Sequence, residues 1–141
     1  MIGGHHKKIH VAAVDVMKIN KSEHRVAVDI DDTLIMYPNK DADVAMLKHR
    51  GYQTFTNIYT GELFWARPSK IHIDLIKASK NRGYEVTVWS AAGWAHAEQI
   101  VKELGIESLV DNIETKYVKL IDDLNPNEIF PIRIYLESKD E

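Results

Sequence analysis

A short apolar stretch that runs directly into three aspartates, Val26-Ala27-Val28-Asp29-Ile30-Asp31-Asp32-Thr33-Leu34, constrains this chain more than any other segment. Residues 25–30 read as a strand of the kind buried in parallel sheets: short, β-branched and apolar until the acids arrive. Carboxylates crowded at the mouth of a strand cost stability unless a cation offsets them, so the pattern points to a metal site or to acid/base chemistry. The plainer alternative is an acidic turn that caps the next helix through Asp32 or Thr33.

The following residues set the architecture. Arg67-Pro68-Ser69 opens a helix whose stripe is Ile71, Leu75, Ile76 and Ala78 and whose end lies near Asn81-Arg82-Gly83. Residues 84–89 form a strand ending at Ser90, 91–93 a turn, and 95–104 a second helix stopped by Gly105. A weaker strand covers 109–113 and a buried one 118–121, ending at Asp122-Asp123. Asn125-Pro126-Asn127 then turns toward a last strand over 132–136. Strand and helix in alternation predict an α/β fold, a Rossmann-like three-layer sandwich with a mainly parallel sheet. Residues 35–66 lack helical periodicity over most of their length. Within them 54–59, the turn Thr60-Gly61-Glu62 and 63–66 predict a short hairpin flap. The gap between 109–113 and 118–121 is too short for a parallel crossover, so one of those two strands is misplaced.

The 141 residues suit one domain at 25–141 with its flap insert at about 35–66, preceded by a segment, 1–24, whose residues 9–19 alternate loosely. A formal charge of -3 argues against a strongly basic body that coats nucleic acid, although it allows a local basic patch. The absence of cysteine excludes a disulfide framework and a thiolate metal site. No apolar run reaches membrane-spanning length, and Asp15 interrupts the apolar residues that a signal peptide would need, so a cytoplasmic protein is expected. His5 and His6 read as a solvated terminus. Oligomeric state is not legible.

Strands ending at Asp29, Ser90 and Asp122 would all present those residues at the carboxyl edge of the sheet, where open α/β folds place ligands. The ordered set resembles the haloacid dehalogenase-like superfamily of phosphohydrolases over about residues 25–136. The run from Asp29 to Leu34 resembles its DxDxT signature, Ser90 its second motif and Asp122-Asp123 its fourth. The resemblance implies a phosphatase in which Asp29 is the nucleophile and forms an aspartyl phosphate, and Asp31 is the general acid/base. It also implies Mg²⁺ held by the Asp29 and Asp122 carboxylates and the Asp31 carbonyl, with Asp123 behind them. Ser90 and the backbone N–H groups of the turn beginning at Ala91 would hold phosphate oxygens, and Thr33 would brace the nucleophile loop. Ser90 as the start signal of the next helix, and Thr33 as a cap, remain equal alternatives.

The family's lysine corresponds in order to Lys116. If residues 117–121 form one strand, however, Lys116 starts it and Asp122 ends it, about 20 Å apart. Either Lys116 closes the preceding strand or Lys119 supplies the charge. The insert is too short for a separate cap domain, which the family often carries, so an open site is expected. That favours a phosphate on something large, such as a nucleic-acid 3′ end or a protein, or else a small substrate, such as a nucleotide, enclosed by an oligomer partner. Tyr52, Phe55, Tyr59 and Trp65 could stack on a base and Arg67 bind phosphate, or the aromatics could simply pack the flap onto the sheet. Two other readings stand beside the phosphatase: a receiver-like module phosphorylated on aspartate, and a non-catalytic binding domain of the same fold.

Overall fold

The structure, a computed structural model, describes residues 24–125. Strand β1 (Arg25–Asp29) pairs in parallel with β5 (Glu85–Ser90), and β5 pairs in parallel with β6 (Asn112–Thr115), giving the order β1-β5-β6. The central strand is the most buried of the three, with Val86 and Val88 fully buried, as a strand covered on both faces requires. A second, antiparallel sheet, ordered β2-β4-β3, is made by β2 (Ile35–Met36), β3 (Gln53–Thr56) and β4 (Leu63–Pro68). The chain is thus mixed α/β. Between β2 and β3 lie a one-turn helix, α1 (Val44–Leu47), and a 3-10 turn, Lys48–Arg50.

Helix α2 (Lys70–Asn81) begins where Ser69 accepts a hydrogen bond from the His72 N–H and ends in a left-handed Gly83. Its buried face carries His72 and Ile76, whereas Ile71 and Leu75 are exposed. The expected stripe is therefore turned by about one residue, because the capping serine and its histidine take the inward positions. Helix α3 (Trp94–Leu104) packs on β5, β6 and β3 through Ala97, Ile100 and Val101. No side chain at its own first residue caps it; instead Thr115 Oγ1, from the end of β6, accepts from Trp94 N at 2.9 Å.

The third parallel strand starts three residues later than the expected 109–113 and ends two later, at Thr115. Asp111 fixes that register. Its backbone N–H donates to Val86 O at 2.9 Å, while its carboxylate accepts from Val86 N at 2.7 Å and from Lys80 Nζ at 2.9 Å. The expected buried strand at 118–121 is not formed. Val118 and Ile121 are 103% and 92% exposed, and the segment has no strand partner among the described residues. An apolar, β-branched sequence makes a strand only where a neighbour offers a ladder, so the local pattern misled. The expected strand at 132–136, the segment 9–19 and most of the turn at 125–127 lie outside the described residues. Among the described residues no helix is long and apolar enough to cross a membrane.

Candidate active site

Asp29, Ser90 and Thr115 end the three parallel strands, with Asp29 in register beside Trp89 and Ser90 beside Thr115. One edge of the sheet therefore gathers the residues that follow each strand. The turn after β1 is tight: the N–H groups of Thr33, Leu34 and Ile35 all point to Ile30 O, at 3.1, 2.9 and 3.2 Å. It closes because Asp32 adopts a left-handed φ of 58°, a conformation aspartate tolerates better than most residues. Ile30, Leu34 and Ile35 are buried beneath it, so the acidic run is anchored from below while its carboxylates face out.

The two leading carboxylates have different surroundings. Asp29 accepts from Thr33 Oγ1 at 3.2 Å and pairs with Lys116 Nζ at 2.9 Å. Both members of that ion pair are about one-third exposed, at 33% and 34%. Lys116 reaches Asp29 because β6 ends at Thr115 and the Lys116 N–H donates to Ser90 O at 3.0 Å. Of the two lysines the sequence offered, the structure brings Lys116 to Asp29. Lys119 lies in the exposed segment beyond it.

Asp31 accepts from Tyr37 Oη at 2.6 Å and from His96 Nε2 at 3.0 Å, both on Oδ1. An ionised carboxylate can only accept, so the imidazole proton facing it sits on Nε2. Burial pushes the Asp31 carboxyl up. The hydrogen bonds from His96 and Tyr37, with the charges of His96 and Lys116, outweigh that and hold it below the ordinary aspartate value. The same contact, added to burial, drives the Tyr37 phenol well above its usual range. Sequence reasoning missed both partners. The available signal for His96 was a polar residue beside Ala97 on the apolar face of α3; Tyr37 had none beyond its place after β2.

Ser90 is buried, and its Oγ accepts from Ala92 N at 3.0 Å, tightening the turn through Ala91, which is exposed. The turn ends at Gly93, whose φ is 104°. A Cβ there would fall 2.5 Å from Tyr59 Oη, so glycine is what lets the flap tyrosine reach Ala92 O at 2.6 Å. The Arg67 guanidinium lies over the Tyr52 ring, at 5.6 Å. Phe55 is fully buried, so for this residue the packing reading of the aromatics applies.

Asp122 and Asp123 do not join the cluster. Asp122 is solvent-exposed and accepts from Leu124 N at 2.9 Å and from Asp123, which lowers its pKa from the ordinary value. Among the described residues no group of three or more histidine or acidic side chains is placed to hold a metal ion. Asp29 nevertheless keeps unused lone pairs. A carboxylate offers about four, and Thr33 and Lys116 take two.

A cleft of about 340 Å³ opens beside these residues, lined by Asp31, Tyr37 and His96 on one side, Ala92 at the rim, and Asn57, Tyr59, Glu62, Leu63 and Phe64 of the flap. Asp31 and Glu62 are thus the two carboxylates that line the cleft, and the charge of Lys116, the partner of Asp29, is felt at Asp31. Compared with family models, with curated proteins and with solved structures, the chain finds no significant match.

Proposed function

We propose that this protein is a Mg²⁺-dependent phosphomonoester hydrolase of the haloacid dehalogenase-like type, built on a Rossmann-like three-layer sandwich. The observation that carries the reading is the Lys116–Asp29 pair at 2.9 Å next to a second carboxylate held by Tyr37 and His96. A nucleophile needs its charge offset against an anionic phosphate, and a nearby proton carrier needs a fixed orientation; these two carboxylates divide those requirements.

In the first step a carboxylate oxygen of Asp29 attacks phosphorus and the bond to the leaving oxygen breaks. Asp31 delivers a proton to that oxygen. In the second step Asp31 takes a proton from water as the water attacks the aspartyl phosphate, releasing inorganic phosphate and restoring Asp29. Tyr37 and His96 hold Asp31 where it can serve both steps, and Thr33 fixes the rotamer of Asp29. Lys116 and the backbone N–H of Ala91 receive phosphate oxygens. Because Asp31 is held below the ordinary aspartate value, it is charged in the free protein, and the proton it passes to the leaving oxygen is the one a phosphate monoester carries in as its monoanion.

The donor set suits Mg²⁺, which keeps several waters and takes only one or two carboxylates from protein. Asp29 and the Asp31 carbonyl would hold it, and the ion would neutralise charge and fix the phosphate. Asp122 and Asp123 would contribute only if the exposed segment after Lys116 turns back toward Asp29. With no cysteine in the chain, a cytoplasmic setting suits the protein.

The test is turnover of an aryl phosphate with and without Mg²⁺, beside Asp29→Asn. Metal-dependent hydrolysis lost in the variant is the expected result. Stable phosphorylation of Asp29 without turnover would instead identify a phosphoacceptor module, and neither result would leave a binding domain.

A further inference from the structure

The flap cleft has features that phosphate chemistry does not require. Its apolar wall is aromatic: the Tyr37 and Phe64 rings lie 5.8 Å apart, tilted by 31°, and Phe64 and His96 lie 6.5 Å apart. Its other side is polar and belongs to the hairpin turn. Asn57 uses Oδ1 to accept from Tyr59 N and Thr60 N, which leaves its amide NH₂ as a donor. Glu62 adds an exposed carboxylate. The flap closes one end of the cleft and is fastened to α3. Tyr59 closes the flap tip onto Ala92, and Thr56 fastens β3 to Glu103 of α3 through bonds of 3.0 and 2.9 Å. A volume of about 340 Å³ lies at the low end for small-molecule sites.

We propose that this cleft receives the planar base of a nucleoside monophosphate, stacked on Phe64 and Tyr37 and read at its edge by Glu62 and Asn57. The inference rests on the phosphatase reading, since Asp31 at the cleft wall locates the ester oxygen. Stacking accepts any base. A carboxylate at the edge, however, favours a base with adjacent N–H donors, as guanine has, over uracil, whose single ring N–H is flanked by carbonyls.

The experiment compares guanosine monophosphate, uridine monophosphate, ribose 5-phosphate and a 3′-phosphorylated oligonucleotide as substrates of the full chain with Mg²⁺. Loss of one base stack amounts to roughly tenfold to a hundredfold in kcat/KM, so guanosine monophosphate is expected to exceed ribose 5-phosphate by that factor. Phe64→Leu should shrink the ratio. Glu62→Gln, on an exposed residue, should narrow the gap between guanosine and uridine monophosphate. Equal kcat/KM for nucleotide and sugar phosphate, or a preference for the oligonucleotide, overturns the proposal while leaving the phosphatase intact. If no ester is hydrolysed, calorimetric titration of guanosine monophosphate decides. Binding weakened by Phe64→Leu supports the base site without the enzyme, and no binding removes both.

Discussion

The parallel half of the molecule and its antiparallel flap divide the work in different ways. The parallel sheet buries its central strand, sets register with a buried Lys80–Asp111 pair, and gathers Asp29, Ser90 and Lys116 at one edge. The flap buries one face, through Phe55 and Ala66, and leaves Tyr59 and Leu63 exposed at 64% and 66%. On the proposed function, the reacting groups come from the parallel half, where the sheet fixes their geometry, and the flap sets what is accepted.

The largest test of this division is chemical. Asp29→Asn should lower turnover by roughly 10⁴-fold, as loss of a nucleophile does, and Lys116→Ala by about 10²-fold, as loss of one charge-stabilising donor does. Tyr59→Phe, in the flap, should leave kcat within about threefold and act mainly on KM. Steady-state kinetics on the three variants checks this. If Tyr59→Phe matched Lys116→Ala in kcat, the flap would belong to the reacting machinery and the division would fail.

The next test is stability. Asp111→Ala strands the Val86 N–H and leaves a mostly buried Lys80 ammonium without its partner, a loss of about 3 kcal/mol. Thr56→Val removes one part-buried hydroxyl bond to Glu103 and should cost about 1 kcal/mol. Denaturant melts of both variants measure the contrast. Gly93→Ala falls between them at about 2 kcal/mol, because it combines a φ of 104° with a Cβ placed 2.5 Å from Tyr59 Oη. In a Tyr59→Phe background the collision disappears and only the backbone cost of about 1 kcal/mol should remain.

The same contrast explains what the sequence disclosed. The strands ending at Asp29 and Ser90 and the two long helices were legible, because apolar runs there end in capping serine, glycine or acid. The hairpin was legible from its turn residues, although β3 ends at Thr56 rather than at residue 59. The third strand was not, because its register is set by polar residues: Asp111 through Lys80 and Val86, and Asn112 through Glu85 Oε1 at 2.6 Å. Periodicity of apolar residues carries no trace of such bonds. That shift also settled which lysine meets Asp29. The exposed run from Tyr117 to Ile121 shows the opposite failure, strand-forming residues with no partner strand. His96 and Tyr37 meet Asp31 from 65 and 6 positions away, and pairings of that kind exist only after folding.

The smallest expected effect is on acid stability, and its sign follows from Asp31. The folded carboxyl lies below 3.8, its ordinary value, because His96 and Tyr37 favour the charged form over the opposing effect of burial. A group depressed on folding contributes stability that is fully present above its unfolded value and is lost as pH falls through the folded one. The wild type should therefore lose this contribution only below about pH 4, and Asp31→Asn should remove it at every pH. The difference in unfolding free energy between the two proteins should accordingly be flat from pH 5 to 7 and shrink toward pH 3. If it grew as the solution was acidified, Asp31 would be protonated in the folded protein, and the assignment of His96 and Tyr37 as donors to a carboxylate would be wrong.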